Sequence, residues 1–177
     1  MTDIASTLSD RAAELRRAFD QSFAEPIRAE TRQTIDFISI RLTGDAHAIR
    51  MSEIAGLFTD VRITLCPSPI AELRGLAGFR GALTPVYDLA ALLGYPPSSA
   101  RWIVLAKGRD LALAFDAFDD HFRIEPAAVA SRQASSASRH VHEIARQADH
   151  AWPVIDIPSV VAAIKTRAAA VSSHKEH

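Results

Sequence analysis

The chain has 177 residues, 48% of them hydrophobic, so it is long enough to bury a core of its own as one domain and needs no disulfide or metal staple. Twenty Lys and Arg against twenty-one Asp and Glu leave a formal charge of −1, which excludes the overall basic balance of a protein that grips a phosphate backbone or an anionic membrane. A single cysteine, Cys66, excludes an internal disulfide.

The start "MTDIASTLSDR" lacks the basic-then-apolar order of a secretory signal, and no apolar run approaches the roughly 20 residues that span a bilayer. A cytoplasmic protein with no direct membrane insertion is expected. Residues 2–25 read as an amphipathic helix, because Ile4, Leu8, Ala12, Leu15, Phe19 and Phe23 recur three or four apart and Pro26 stops the pattern. A linker, "EPIRAETRQ", follows. The expected organisation is an N-terminal helix and linker over 1–33, a domain over 34–170 and a disordered tail over 171–177.

Within the domain the period changes. Residues 34–42, "TIDFISIRL", and 46–51, "AHAIRM", flank a short "TGD" connection and predict a hairpin. "MSEIAGLF" places Met51, Ile54, Leu57 and Phe58 on one side of a short helix, and "DVRITL" alternates as a strand that "CPSP" stops. "FRGALTPVYDL" reads as a strand in which Gly81 permits a bend; Asp88 then caps a helical turn over Leu89, Leu92 and Leu93, and Gly94 ends it.

Three more strands are predicted in "ARWIVLAKG", "DLALAFD" and "DHFRIEP". Residues 127–139 are small and polar and read as a loop. "HVHEIAR" and "AWPVIDI" read as strands around "QAD", followed by a helix from Pro158 to about Ala170. Strands arriving in runs without regular crossover helices predict a mainly β protein of small barrels or sandwiches.

The stretch "G-x-x-x-x-R-G-x-x-x-P-V-x-D-L-x-x-x-L-G" is carried by Gly75, Arg80, Gly81, Pro85, Val86, Asp88, Leu89, Leu93 and Gly94. With Pro67 upstream and the closing "VIDIPSVV", it resembles the CheW-like chemotaxis coupling proteins over about residues 34–163. The resemblance implies two five-stranded barrels side by side, with residues 34–50 and 140–170 in the first. It also implies a non-enzymatic adaptor joining the cytoplasmic tips of chemoreceptors to the regulatory domain of a CheA-type histidine kinase, and possible contact with other CheW-like domains. Arg80 would contact receptor, Gly75 would belong to the same surface, and Ile54 and Gly56 would lie in the region meeting the kinase. Gly78 stands where the motif usually has asparagine, Gly56 where many members carry glutamate, and His47 replaces a usual aromatic.

Independently of the resemblance, a guanidinium beside glycine offers its donor fork to a partner carboxylate or carbonyl; an intramolecular salt bridge is the competing reading for Arg80. Gly81, Pro85, Asp88 and Gly94 are structural: a bend, a strand and a capped turn. No nucleophile elbow, Walker loop or dinucleotide loop is present, so neither an enzyme nor a cofactor is expected. His140, His142 and His150 suit a metal less well than they suit solvent exposure. The alternative function is a small β-barrel nucleic-acid-binding module, raised by the G-x-x-G at Gly75–Gly78 and opposed by its flanks.

Overall fold

A computed structural model describes residues 33–97, 99–108, 110–132 and 139–173. The helix expected over residues 2–25 and the tail beyond 173 lie outside the described residues. From Thr34 onward the chain forms one compact unit.

The first hairpin forms as the alternation predicts. Strands β1 (Ile35–Leu42) and β2 (Asp45–Arg50) pair antiparallel. Thr43 and Gly44 at the turn both have positive φ, the combination that matches the twist of paired strands. "MSEIAGLF" is not a helix. Met51–Glu53 make one 3-10 turn and Ile54–Thr59 form strand β3, whose residues pair with Trp102–Ala106. The apolar residues at 54, 55, 57 and 58 fit either period, and the ladder to a neighbouring strand decides between them. "DVRITL" makes only an isolated bridge, Thr64 to Leu76.

The glycine-rich stretch is a hairpin: β4 (Leu73–Phe79) and β5 (Ala82–Asp88), joined at Arg80 and Gly81. A one-turn helix α1 (Leu89–Leu92) follows. Next come β6 (Trp102–Ala106), β7 (Ala112–Phe115), β8 (Ala117–Ile124), β9 (Val129–Ser131), β10 (Val141–Gln147), β11 (His150–Ile155) and helix α2 (Ile157–Ser173). The last helix starts one residue earlier and runs three further than expected.

Two sheets result. One has the order β3-β6-β7-β5-β4; the other has six strands, β8-β1-β2-β11-β10-β9, where five were expected. Strands β8 and β9, from the middle of the sequence, join the lobe made by the ends of the domain.

Alternation along the strands explains the packing. In β6, Ile103 and Leu105 enter a core private to the five-stranded lobe, whereas Val104 and Ala106 enter a core shared with the other lobe. In β7, Ala112 and Ala114 take the private side and Leu113 and Phe115 the shared one. Strands covered on both faces have no polar face to show, so "WIVLA" and "LALAF" are unbroken apolar runs. From the six-stranded lobe the shared core receives Ile38, Ile40, Leu42, Ile49, Val141 and Ile155, while Phe37, Phe122 and Val154 fill that lobe's own interior. Helix α2 adds Ile157, Val160 and Ile164 to the shared core. Its polar side is tied to the five-stranded lobe by Lys165–Asp110 and Arg167–Glu72 ion pairs.

Candidate functional site

The β4–β5 hairpin carries most of the residues singled out in the sequence. Phe79 and Ala82 close the last pair, leaving Arg80 (φ 50°) and Gly81 (φ 84°) as a two-residue turn. Arg80 is therefore at a tip, not within a strand as expected, and its side chain is exposed. Among the described residues it makes no ion pair, so the competing intramolecular reading finds no partner there. Glycine or asparagine would hold this backbone at less cost than arginine.

Gly75 is buried with φ 140°, and a Cβ built on it would overlap the Thr64 carbonyl. That carbonyl accepts the Leu76 N–H, and the Thr64 N–H donates to the Leu76 carbonyl, each at 2.8 Å. The glycine thus lets the loop after β3 lie flat against β4. Being buried, Gly75 contributes backbone geometry and no side chain.

The base of the hairpin is fixed by Asp88. One carboxylate oxygen accepts the Ala91 N–H at 3.1 Å, capping α1, and the other accepts from Arg74 at 3.0 Å. Leu93, Gly94 and Tyr95 then close α1 in a Schellman turn, Gly94 N–H to the Ala91 carbonyl and Tyr95 N–H to the Ala90 carbonyl. Pro85 lies within β5, opposite Leu76. Gly81, Pro85, Asp88 and Gly94 occupy the positions a structural role requires.

Cross-strand pairs share a face of a sheet. Outward from the hairpin come Gly78 with Leu83 and Leu76 with Pro85, and Leu73 with Tyr87 reach the shared core. Leu83 is 70% exposed and Leu65, next to the bridging Thr64, is 85% exposed. Gly78 is exposed with nothing within 4 Å of a built Cβ, so the surface beside Leu83 is open. An apolar stripe thereby runs from the interlobe core to the arginine at the tip. Sequence reasoning missed Leu83 because the residue was read as one position in a single strand; the pairing across the turn shows it.

Ile54 and Gly56 lie on β3, an edge strand of the five-stranded sheet whose Phe58 packs on Phe79, the residue that precedes Arg80. Both are half-buried, and a Cβ on Gly56 would meet the Phe58 ring at 2.8 Å. The absence of a side chain at 56 thus has a packing cause.

The histidines do not converge. His140 precedes β10, is 7% exposed against the expectation of solvent, and shares a 2.8 Å hydrogen bond with the Ser159 hydroxyl. His142 is exposed, and His150 stacks on Trp152. No group of His, Cys, Asp and Glu among the described residues has an arrangement fit for a metal ion. Phe37, Phe79 and Phe122 are buried and Phe58 packs on Phe79, so these rings serve cores instead of an open stacking face. The Gly75–Gly78 stretch lies inside β4, not in a loop that could clamp a nucleic-acid backbone.

These features define a class, a two-lobed β scaffold that displays an arginine-tipped, apolar-sided hairpin. The chain belongs to the CheW-like domain family, which matches residues 36–165. Among solved structures it is similar to the scaffolding protein TtCheW from Thermoanaerobacter tengcongensis, at 19% identity and a TM-score of 0.64. That match covers 70% of this chain and 89% of the other, and concerns the fold. No curated protein matches. Among the described residues no helix is long and apolar enough to cross a membrane.

Proposed function

We propose that this chain is a non-enzymatic cytoplasmic adaptor of bacterial chemosensory signalling, coupling chemoreceptor tips to the regulatory domain of a CheA-type histidine kinase. Membership of the CheW-like family supports the adaptor role, and the relative's description as a scaffolding protein agrees with it. One observation carries the receptor side. Arg80 is exposed at positive φ, where arginine is costly for the turn, and has no ion-pair partner among the described residues. A residue unsuited to its turn and unused by its own fold is explained by an external partner.

In this reading a receptor helix lies along the outer face of the hairpin. Leu83 and Leu76 take its apolar side, the bare backbone at Gly78 lets the helix come close, and Arg80 donates its fork to a carboxylate or a terminal carbonyl. Gly75 keeps the strand and the preceding loop close enough for that face to be continuous. The kinase meets the β3 edge through Ile54 and the Gly56 backbone.

The test is calorimetric titration with a receptor-tip helical hairpin and, separately, with a kinase regulatory domain from the same organism. Micromolar binding to both is expected, with Arg80→Ala weakening the receptor by about tenfold or more and leaving the kinase unaffected. Equal receptor affinity in wild type and variant would remove Arg80 from the interface. Absence of heat with either partner would overturn the adaptor assignment.

A further inference from the structure

A half-open cavity of about 330 Å³ is lined by His47, Leu93, Gly94, Tyr95, Arg132, Val141 and Pro153. It lies where β2, β10 and β11 of the six-stranded lobe meet the turn that closes α1 in the other lobe. Its size is at the lower end of small-molecule pockets.

The polar groups here are built in. His47 is only 4% exposed. Its Nδ1 lies 3.2 Å from the Asp45 carbonyl and its Nε2 3.4 Å from the Tyr95 hydroxyl, with the two rings edge to face at 5.8 Å. A carbonyl only accepts, so Nδ1 carries the proton and Nε2 accepts from the phenol. Burial holds the imidazole below its ordinary pKa, which keeps it in that neutral form, and burial together with Asp45 keeps the phenol protonated. With its proton committed to His47, the Tyr95 oxygen has its lone pairs left as acceptors. The Schellman turn fixes Tyr95 from behind.

On the other side stands Arg132. Its backbone N–H donates to the His142 carbonyl at 2.7 Å, anchoring it beside β10, yet its guanidinium has no ion-pair partner among the described residues. The remaining walls, Leu93, Val141 and Pro153, are apolar. The two other large cavities differ: in the cleft at Lys165 the ammonium is paired with Asp110, and that at Glu53, which Arg132 also borders, sets the carboxylates of Glu53, Glu143 and Asp156 around Arg50, a surrounding that repels an anion.

We propose that this cavity binds a small monocarboxylate with an apolar body. The carboxylate takes the Arg132 fork, the body lies against Leu93, Val141 and Pro153, and a donor on the ligand, where present, reaches the Tyr95 oxygen. Because the site has walls from both lobes, an occupant bridges them.

Phenylacetate is a suitable probe, with neutral phenylacetamide as its control. Amide and methyl NMR spectra of the full chain are expected to show saturable millimolar binding of phenylacetate, with shifts centred on Leu93, Tyr95 and Val141. Phenylacetamide should bind at least fivefold more weakly. Arg132→Gln, an exposed change that spares the fold, should weaken phenylacetate at least fivefold and leave phenylacetamide unchanged. Leu93→Phe, which narrows the cavity, should weaken both. Shifts that do not saturate, map elsewhere, or are indifferent to Arg132→Gln would overturn the proposal.

Discussion

At Arg80 the proposed receptor contact is set against stability. Arginine at positive φ costs the hairpin on the order of 1 kcal/mol, which asparagine largely avoids. Arg80→Asn is therefore expected to stabilise the domain by about 0.5–1 kcal/mol in urea titration while losing receptor affinity as Arg80→Ala does. Gly75 behaves in the opposite way. At φ 140° and against the Thr64 carbonyl, Gly75→Ala is expected to cost more than about 2 kcal/mol, read as a lower urea midpoint with the Thr64–Leu76 amides losing exchange protection. The arginine itself was legible from its motif, but its placement was not. "FRGAL" contains no Asn-Gly or Asp-Gly, the usual marks of a two-residue turn, so the hairpin hid inside one apparent strand.

At the scale of elements, Asp88 joins a strand, a helix and Arg74 through one buried carboxylate. Asp88→Ala leaves the Ala91 N–H uncapped and a half-buried guanidinium without this acceptor, and is expected to cost about 2–4 kcal/mol by chemical denaturation. Asp88→Asn keeps the cap and loses the charge, and should cost about half as much. The cap was readable because capping chemistry is local: Asp88, then five apolar residues, then Gly94. The segments "WIVLA" and "LALAF" were readable as strands for their short apolar runs between turns. "MSEIAGLF" failed because its fate depends on pairing with a strand some fifty residues away, and no local period carries that.

Over the whole molecule, acid acts through His47 and His140, which lie in different parts of the six-stranded lobe. Burial is the main cause of the lowered pKa of both; at His140, Arg139, His142 and Arg167 add to it and Asp156 opposes. A histidine whose folded pKa is depressed favours the fold fully above its unfolded value near 6.5 and loses that contribution as pH falls through 6.5 towards the folded value. Thermal stability is expected to fall between pH 7 and pH 5, and His140→Asn should flatten the decline. Glu53, whose carboxyl burial raises, works in the opposite sense: it favours the fold below 4.5 and loses this as pH rises through its folded pKa. The two-lobe plan was legible through the family motif. The sixth strand was not, since β8 leaves its sequence neighbours to pair with β1, where Phe122 and Ile124 join Phe37 in that lobe's own interior, a long-range choice invisible in a run such as "DHFRI".

That routing also bears on how the chain matures on the ribosome. The five-stranded lobe is continuous from Ile54 to Phe115, whereas the other needs β1 and β2 from before it and β8 to β11 from after it. Residues 54–115 can therefore pair as soon as they emerge. The six-stranded sheet must wait for Ile155 with β1–β2 already made, which leaves the shared apolar face of the finished lobe open to water until that strand has emerged. Pulse-labelled hydrogen exchange during refolding is expected to protect the amides of β6 and β7 before those of β10 and β11. Such an order would make the nascent chain, not the finished protein, the form most dependent on chaperones.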